Sequence, residues 1–123
     1  MTHATQNRDQ LAANLSDLLA LLAAGQFLEA QEKYLAEDVV LQEGDDPAKA
    51  GKAEVMEAEA KVLADVAEFR GYRVSSSAIG EDKTFYEGVM EFVTKGGEVV
   101  RVEQAVVDTW RDGKIVHERF YHA

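Results

Sequence analysis

Residues 84–122, TFYEGVMEFVTKGGEVVRVEQAVVDTWRDGKIVHERFYH, decide the fold. Apolar and polar side chains alternate along them, the two-residue period of a β-strand. The alternation breaks at Gly96-Gly97 and again at Asp112-Gly113. Such pairs between alternating runs signal hairpins. The spacing therefore predicts strands over Thr84 to Thr94, Val99 to Trp110 and Ile115 to His122. A further strand, Tyr72 to Ile79, precedes them and ends at Gly80-Glu81-Asp82-Lys83.

Upstream of Gly71 the period lengthens. Leu11, Leu15, Leu18, Leu19 and Leu22 recur at steps of three and four, the stripe of an amphipathic helix that Gly25 closes. Phe27, Ala30, Tyr34 and Leu35 mark a second helix, and Val39 to Leu41 a short β-branched run. A turn follows, with Gly44, Asp45, Asp46 and the one proline, Pro47. A third helix is predicted from about Lys52 to Phe69, with Met56, Leu63, Val66 and Phe69 on one face. Three helices followed by a curved antiparallel meander make an α+β domain with helices on one sheet face.

The sheet face that meets the helices follows from charge. Val100, Val102, Gln104, Val106, Asp108 and Trp110 share one face of their strand, and the other carries Arg101 and Glu103. The first set points inward, and with it Tyr86, Met90 and Phe92. Phe85, Val89, Val93, Ala105 and Val107 are then left on an outer face, an apolar patch of the kind that monomers avoid. A homodimer through that face is expected.

Composition limits the function. The 123 residues suit one domain, and 46% hydrophobic with 29% charged residues is ordinary globular usage. Residues 10–123 are expected to form that domain, and 1–9 a disordered tail without the basic start and apolar core of a secretory signal. The net charge of −10 offers no basic patch, so no nucleic acid is expected as a partner. Between Glu29 and Glu68 twelve acidic residues face four basic ones. No apolar run approaches the ~20 residues of a membrane helix, and a cytoplasmic home is expected. Cysteine is absent, which removes disulfides, thiolate metal sites and a thiol nucleophile. His3, His117 and His122 lack any metal-binding spacing, so neither metal nor cofactor is expected.

Three stretches resemble the nuclear transport factor 2-like superfamily, in its SnoaL-like and ketosteroid-isomerase-like branches. LAAGQFLEAQEKYLAEDVVLQEG (22–44) resembles the family's small-Gly-x-aromatic helix and its Tyr-Leu-x-x-Asp-Val strand. AGKAEVMEAEAKV (50–62) resembles the Gly-Lys helix that follows. VVDTWRDGKIVHERFYH (106–122) resembles the closing hairpin. The resemblance implies a cone-shaped α+β barrel with a ligand cavity. It puts Glu43 where ketosteroid isomerases keep a proton-shuttling base, and Asp108 where they keep a protonated acid that donates a hydrogen bond. It also implies a tyrosine on the first helix, and this chain has Leu18 there, so steroid isomerisation is not expected.

Tyr34, Tyr86, Met90, Trp110 and Phe120 are the expected apolar lining of the cone, with Gln104 and His122 as polar contacts. The ligand is then a small, mostly apolar organic molecule. Two classes of function stand side by side. One is cofactor-free acid–base chemistry of isomerase, cyclase, dehydratase or hydrolase type, with Glu43 and Asp108 as catalytic groups. The other is a non-catalytic ligand-binding or dimerisation module of the same fold.

Overall fold

The computed structural model describes residues 7–122. Its first helix, α1 (Arg8–Ala23), is capped by the Asn7 side chain, which accepts a hydrogen bond from the Gln10 amide. Arg8 and Asp9, within the stretch expected as a tail, are part of this helix. Residues 1–6, His3 among them, lie outside the described residues. At the other end of α1 the Gln26 N–H donates to the Leu21 carbonyl (2.9 Å) and the Gly25 N–H to the Leu22 carbonyl (3.0 Å). This crossed pair satisfies two orphan carbonyls and needs a left-handed residue, and Gly25 has φ +78°. A Cβ there would also come within 3.0 Å of the Phe69 ring.

The chain continues as α2 (Phe27–Tyr34), β1 (Leu35–Glu43), the two-residue β2 (Lys49–Ala50), α3 (Lys52–Ala64), β3 (Val66–Ile79), β4 (Lys83–Thr94), β5 (Val99–Arg111) and β6 (Lys114–His122). The six strands form one sheet in the order β2-β1-β6-β5-β4-β3. Strands β3 to β6 make the expected antiparallel meander. The expectation of a wholly antiparallel sheet is corrected: β1 runs parallel to β6, and the sheet is mixed. Leu35, Val39 and Leu41 of β1 are buried in the same core as the meander's inner face. Placing β1 beside β6 buries them and gives β6 a second backbone partner.

The third helix is also shorter than its apolar spacing predicts. It ends at Ala64, and Val66 to Phe69 belong to β3. Register shifts fall between Val66 and Glu68 and again between Phe69 and Gly71. Each bulge adds one residue, so Val66, Phe69 and Tyr72 recur every third residue on a single strand face. A helical spacing and a strand bulged at these two places look alike in sequence. Gly71, which marks the change of period, sits inside the strand at φ +140°.

The inner and outer faces lie as the charge pattern predicts. Val106, Asp108 and Trp110 are buried, as are Thr84 and Tyr86 across from them. Arg101 and Glu103 are exposed. Helices and inner sheet face share one core, in which Leu11, Leu15, Leu18 and Phe27 meet Tyr72, Val106 and Trp110.

Candidate functional site

A cavity of about 120 Å³ opens between the helices and the inner sheet face. Leu18 and Leu22 of α1 and Phe27 of α2 form one wall. Tyr72, Tyr86, Met90 and Phe120 form the sheet wall. Glu43, at the end of β1, and Glu59, on α3, are the partly exposed carboxyls of the lining. Gln31, Gln104 and Glu118 are its remaining polar groups.

The sheet register assembles the polar part. Thr84, Asp108 and Glu118 lie in one row across β4, β5 and β6. The next row is Tyr86, Val106 and Phe120, and the next Gly88, Gln104 and His122. Gly88 has no side chain, which leaves room for the Tyr72 ring to lie over the sheet. A Cβ at Gly88 would stand 2.4 Å from Tyr72 Cε1. Tyr72 Oη reaches Gln104 in this way and accepts a hydrogen bond from Gln104 Nε2 at 2.9 Å.

Asp108 is 0% exposed and Glu118 7%. Neither oxygen of Asp108 has an N–H or hydroxyl donor among the described residues. Its hydrogen-bonding neighbour is the Glu118 carboxyl. Two ionised carboxylates repel one another at that position, which favours a proton on the pair. Burial pushes the Asp108 carboxyl well above its ordinary value, the Glu118 charge pushes further, and the hydrogen bond to Glu118 acts in the same direction. Burial raises Glu118 as well, partly offset by the hydrogen bond from Asp108, while the Glu43 charge adds to the rise. Burial also raises Tyr86, followed by the charges of Asp108 and Glu118. Tyr72 is pushed up to about 12, chiefly by burial.

Of the residues singled out in the sequence, Glu43, Tyr86, Met90, Gln104 and Phe120 line the cavity. Asp108 is not part of the lining and stands opposite Glu118 on the neighbouring strand. Gln104, on the same strand face as Asp108, bonds Tyr72. His122 bonds Glu43 Oε2 through Nε2 at 3.0 Å, outside the lining. Tyr34 and Trp110 are packed elsewhere in the core. The Tyr34 hydroxyl donates to Asp17 at 2.6 Å, and Trp110 Nε1 donates to Thr84 Oγ1 at 2.9 Å. Sequence reading missed Glu59 and Tyr72, and gave Glu118 no role. An acid among the inward residues of β6 was the available sign of Glu118. Among the described residues no three His, Cys, Asp or Glu gather as a metal site.

The sequence profile of the SnoaL-like domain matches residues 9–122. The chain belongs to the SnoaL-like domain family. That places it in the nuclear transport factor 2-like superfamily. Solved structures agree with this SnoaL-like fold. A candidate SnoaL-like polyketide cyclase from Mesorhizobium loti, also described as a carbohydrate phosphatase, is 26% identical with a TM-score of 0.79, over 90% of this chain and 97% of that one. A candidate isomerase from Bacillus subtilis is 17% identical with a TM-score of 0.75, over 94% and 87% of the two chains. A Catenulispora acidiphila protein with a ketosteroid isomerase-like fold, solved in complex with trimethylamine, is 17% identical with a TM-score of 0.71, over 86% and 85%. No curated protein matches the sequence.

The buried pair gives this SnoaL-like domain a pH-dependent stability with a definite sign. Unfolded, Asp108 ionises near its ordinary value of 3.8, and folded it does so well above. Between those two values the folded state binds more protons, so stability is full below about pH 4 and falls as pH rises through the folded pKa. Asp108→Asn removes the proton uptake. Urea midpoints measured between about pH 4.5 and 8 are expected to fall for the wild type and to flatten in the variant. Parallel curves for the two proteins would show that Asp108 titrates in water.

Proposed function

We propose that the cavity binds a small organic molecule, mostly apolar in its contacts, and performs cofactor-free acid–base chemistry next to a carbonyl. The observation that carries this reading is the buried Asp108–Glu118 pair beside the cavity, which holds a proton where water cannot compete for it. A proton that burial favours on the pair is available to an oxygen that gains charge as a neighbouring C–H bond breaks. Glu118 presents that proton, and Asp108 supplies and recovers it. Glu43 at the mouth is the base, oriented by His122. Tyr86, whose hydroxyl makes no hydrogen bond among the described residues, is the second donor to the oxygen. It takes the role that Leu18 on α1 cannot take.

Volume restricts the ligand. A cavity of about 150 Å³ holds a benzene ring, so one of this size takes roughly four to six non-hydrogen atoms. Cyclopentanone is a suitable probe. In deuterated water the protein is expected to exchange the hydrogens α to its carbonyl, read by mass spectrometry. Glu43→Gln and Glu118→Gln should each slow the exchange by about 100-fold or more. Equal rates in wild type and both variants would remove the catalytic reading and leave the binding module.

The outer sheet face belongs to the same proposal as a homodimer interface. Phe85 is 37% exposed and Tyr121 48%. Val89, Val93, Ala105 and Val107 lie half-buried near them. A specific interface there would cover at least about 1,000 Å² in total. Sedimentation equilibrium at micromolar concentration should show twice the chain mass of 13.6 kDa, and Phe85→Glu should return it to the single-chain value. A single-chain species in the wild type would overturn the interface. No described helix is long and apolar enough to cross a membrane, and a cytoplasmic location completes the proposal.

A further inference from the structure

We infer that the cavity selects an organic cation, a small alkylammonium, because three carboxyl groups line it and, among the described residues, no basic side chain does. The inference deepens the proposed binding function and rests on it.

Glu43, Glu59 and Glu118 all line the cavity, and among the described residues no lysine, arginine or histidine shares the lining. Glu118 is the decisive group. It is more than nine-tenths buried, and the one polar side chain bonded to it among the described residues is another acid, Asp108. Carboxyls this deep ordinarily gain an arginine, a lysine or several N–H donors when a chain folds. Here the protein leaves that place open on the cavity side. The other acids make the deficit worse. Glu59 is held above its ordinary value first by burial and then by the charges of Glu118 and Glu43. His122 bonds Glu43 at the mouth and does not reach the lining.

A second feature points the same way. The Gln31 Oε1 atom is buried in the lining without a hydrogen-bond partner. It asks for a donor, which an ammonium N–H supplies and a carbonyl oxygen does not. The apolar lining is aromatic as well as aliphatic. Phe27, Tyr72, Tyr86 and Phe120 present rings to the space, and ring faces attract alkylammonium groups, more strongly when water is excluded. The stretch from Glu29 to Glu68, which contributes Gln31, Glu43 and Glu59 to the lining, carries an excess of acidic residues that favours cations. A neutral ketone would engage the proton of the Asp108–Glu118 pair and leave Glu59 uncompensated. An amine or an amino ketone satisfies both.

The test compares two molecules of one shape. tert-Butylammonium and tert-butanol have the same heavy-atom skeleton and differ in charge. Each is titrated into the full chain at pH 7, followed by the methyl NMR signals of Met90 and Leu18. The cation is expected to shift both signals saturably and to bind at least tenfold more tightly than the alcohol. Glu118→Gln and Glu59→Gln should each weaken the cation about tenfold or more and leave the alcohol unchanged. Each variant is first checked by its unfolding midpoint, so that lost binding is not lost folding. Alcohol binding as tight as the cation's, or cation binding that survives both substitutions, would overturn the inference. If tert-butanol or cyclopentanone binds and the cation does not, the charge assignment fails and the cavity reading stands. If none of the three binds, both fail.

Discussion

Trp110→Ala is expected to lower the unfolding free energy by about 3–5 kcal/mol, a large share of the 5–15 kcal/mol available to a domain of this size. Trp110 is 2% exposed at the end of β5. Its ring meets the Tyr34 ring edge-on at 5.6 Å between centroids, and Nε1 donates to the buried Thr84 hydroxyl. Tyr34 in turn donates to Asp17 on α1. One indole thus ties β5 to β4, to α2 and, through Tyr34, to α1. Alanine leaves a void of most of a ring and strips Thr84 of its donor. Trp110→Phe separates the two losses. It keeps much of the packing and should cost about 1–3 kcal/mol, the range for a buried polar group left without its partner. Urea unfolding reads both variants. A cost below about 1 kcal/mol for Trp110→Ala would mean that the site collapses around the deletion and that the indole is no keystone.

Gly88→Ala should be the most disruptive of the single-methyl changes at the site. The new Cβ would stand 2.4 Å from Tyr72 Cε1 and 2.9 Å from its Cζ and Oη. The ring is stiff and buried, so it must move as a body, breaking the bond from Gln104 and entering or leaving the cavity. Overpacking of this kind costs about 1–3 kcal/mol. In an ordinary strand position the same substitution helps, because alanine loses less backbone entropy than glycine, by roughly 0.5–1 kcal/mol. Gly88→Ala should therefore become neutral or stabilising in a Tyr72→Leu background, with a coupling of at least about 1 kcal/mol in the double-mutant cycle. Additive effects would show that Tyr72 does not depend on the missing side chain. The same variant should also change ligand binding in the cavity, since Tyr72 lines it.

Much of the architecture is local and was legible as such. The leucine stripe of α1, its stop at Gly25 and the Asp112-Gly113 hairpin are set by short-range backbone and side-chain preferences, and each lies where the pattern puts it. The inner face of β4 and β5 was legible too, because charge at Arg101 and Glu103 breaks the symmetry between faces. The end of α3 was not. A helix continuing through Val66 and Phe69 and a strand with two bulges both space apolar residues by three, and only pairing with β4 separates them.

The candidate site shows the same division at finer scale. Asp108, Glu43, Gln104 and Phe120 follow from alternation and from the family likeness, because a residue's face is a property of its own strand. Which residue stands opposite Asp108 is not. Beyond the Asp112-Gly113 hairpin, Arg111 pairs with Lys114 and Trp110 with Ile115. Continued without interruption, that register would set His117 against Asp108. A register shift after Trp110 adds one residue to β6, so His117 pairs with Thr109 and Glu118 with Asp108. An acid–histidine pair thereby becomes an acid–acid pair, and an ordinary salt link becomes a buried shared proton. By itself the sequence determined the elements, their hairpins and the inward faces, since these depend on neighbours a few residues apart. The tertiary structure alone decided the bulges, the parallel pairing of β1 with β6 and the meeting of Asp108 with Glu118. Those depend on which distant backbone groups satisfy one another once the core has closed.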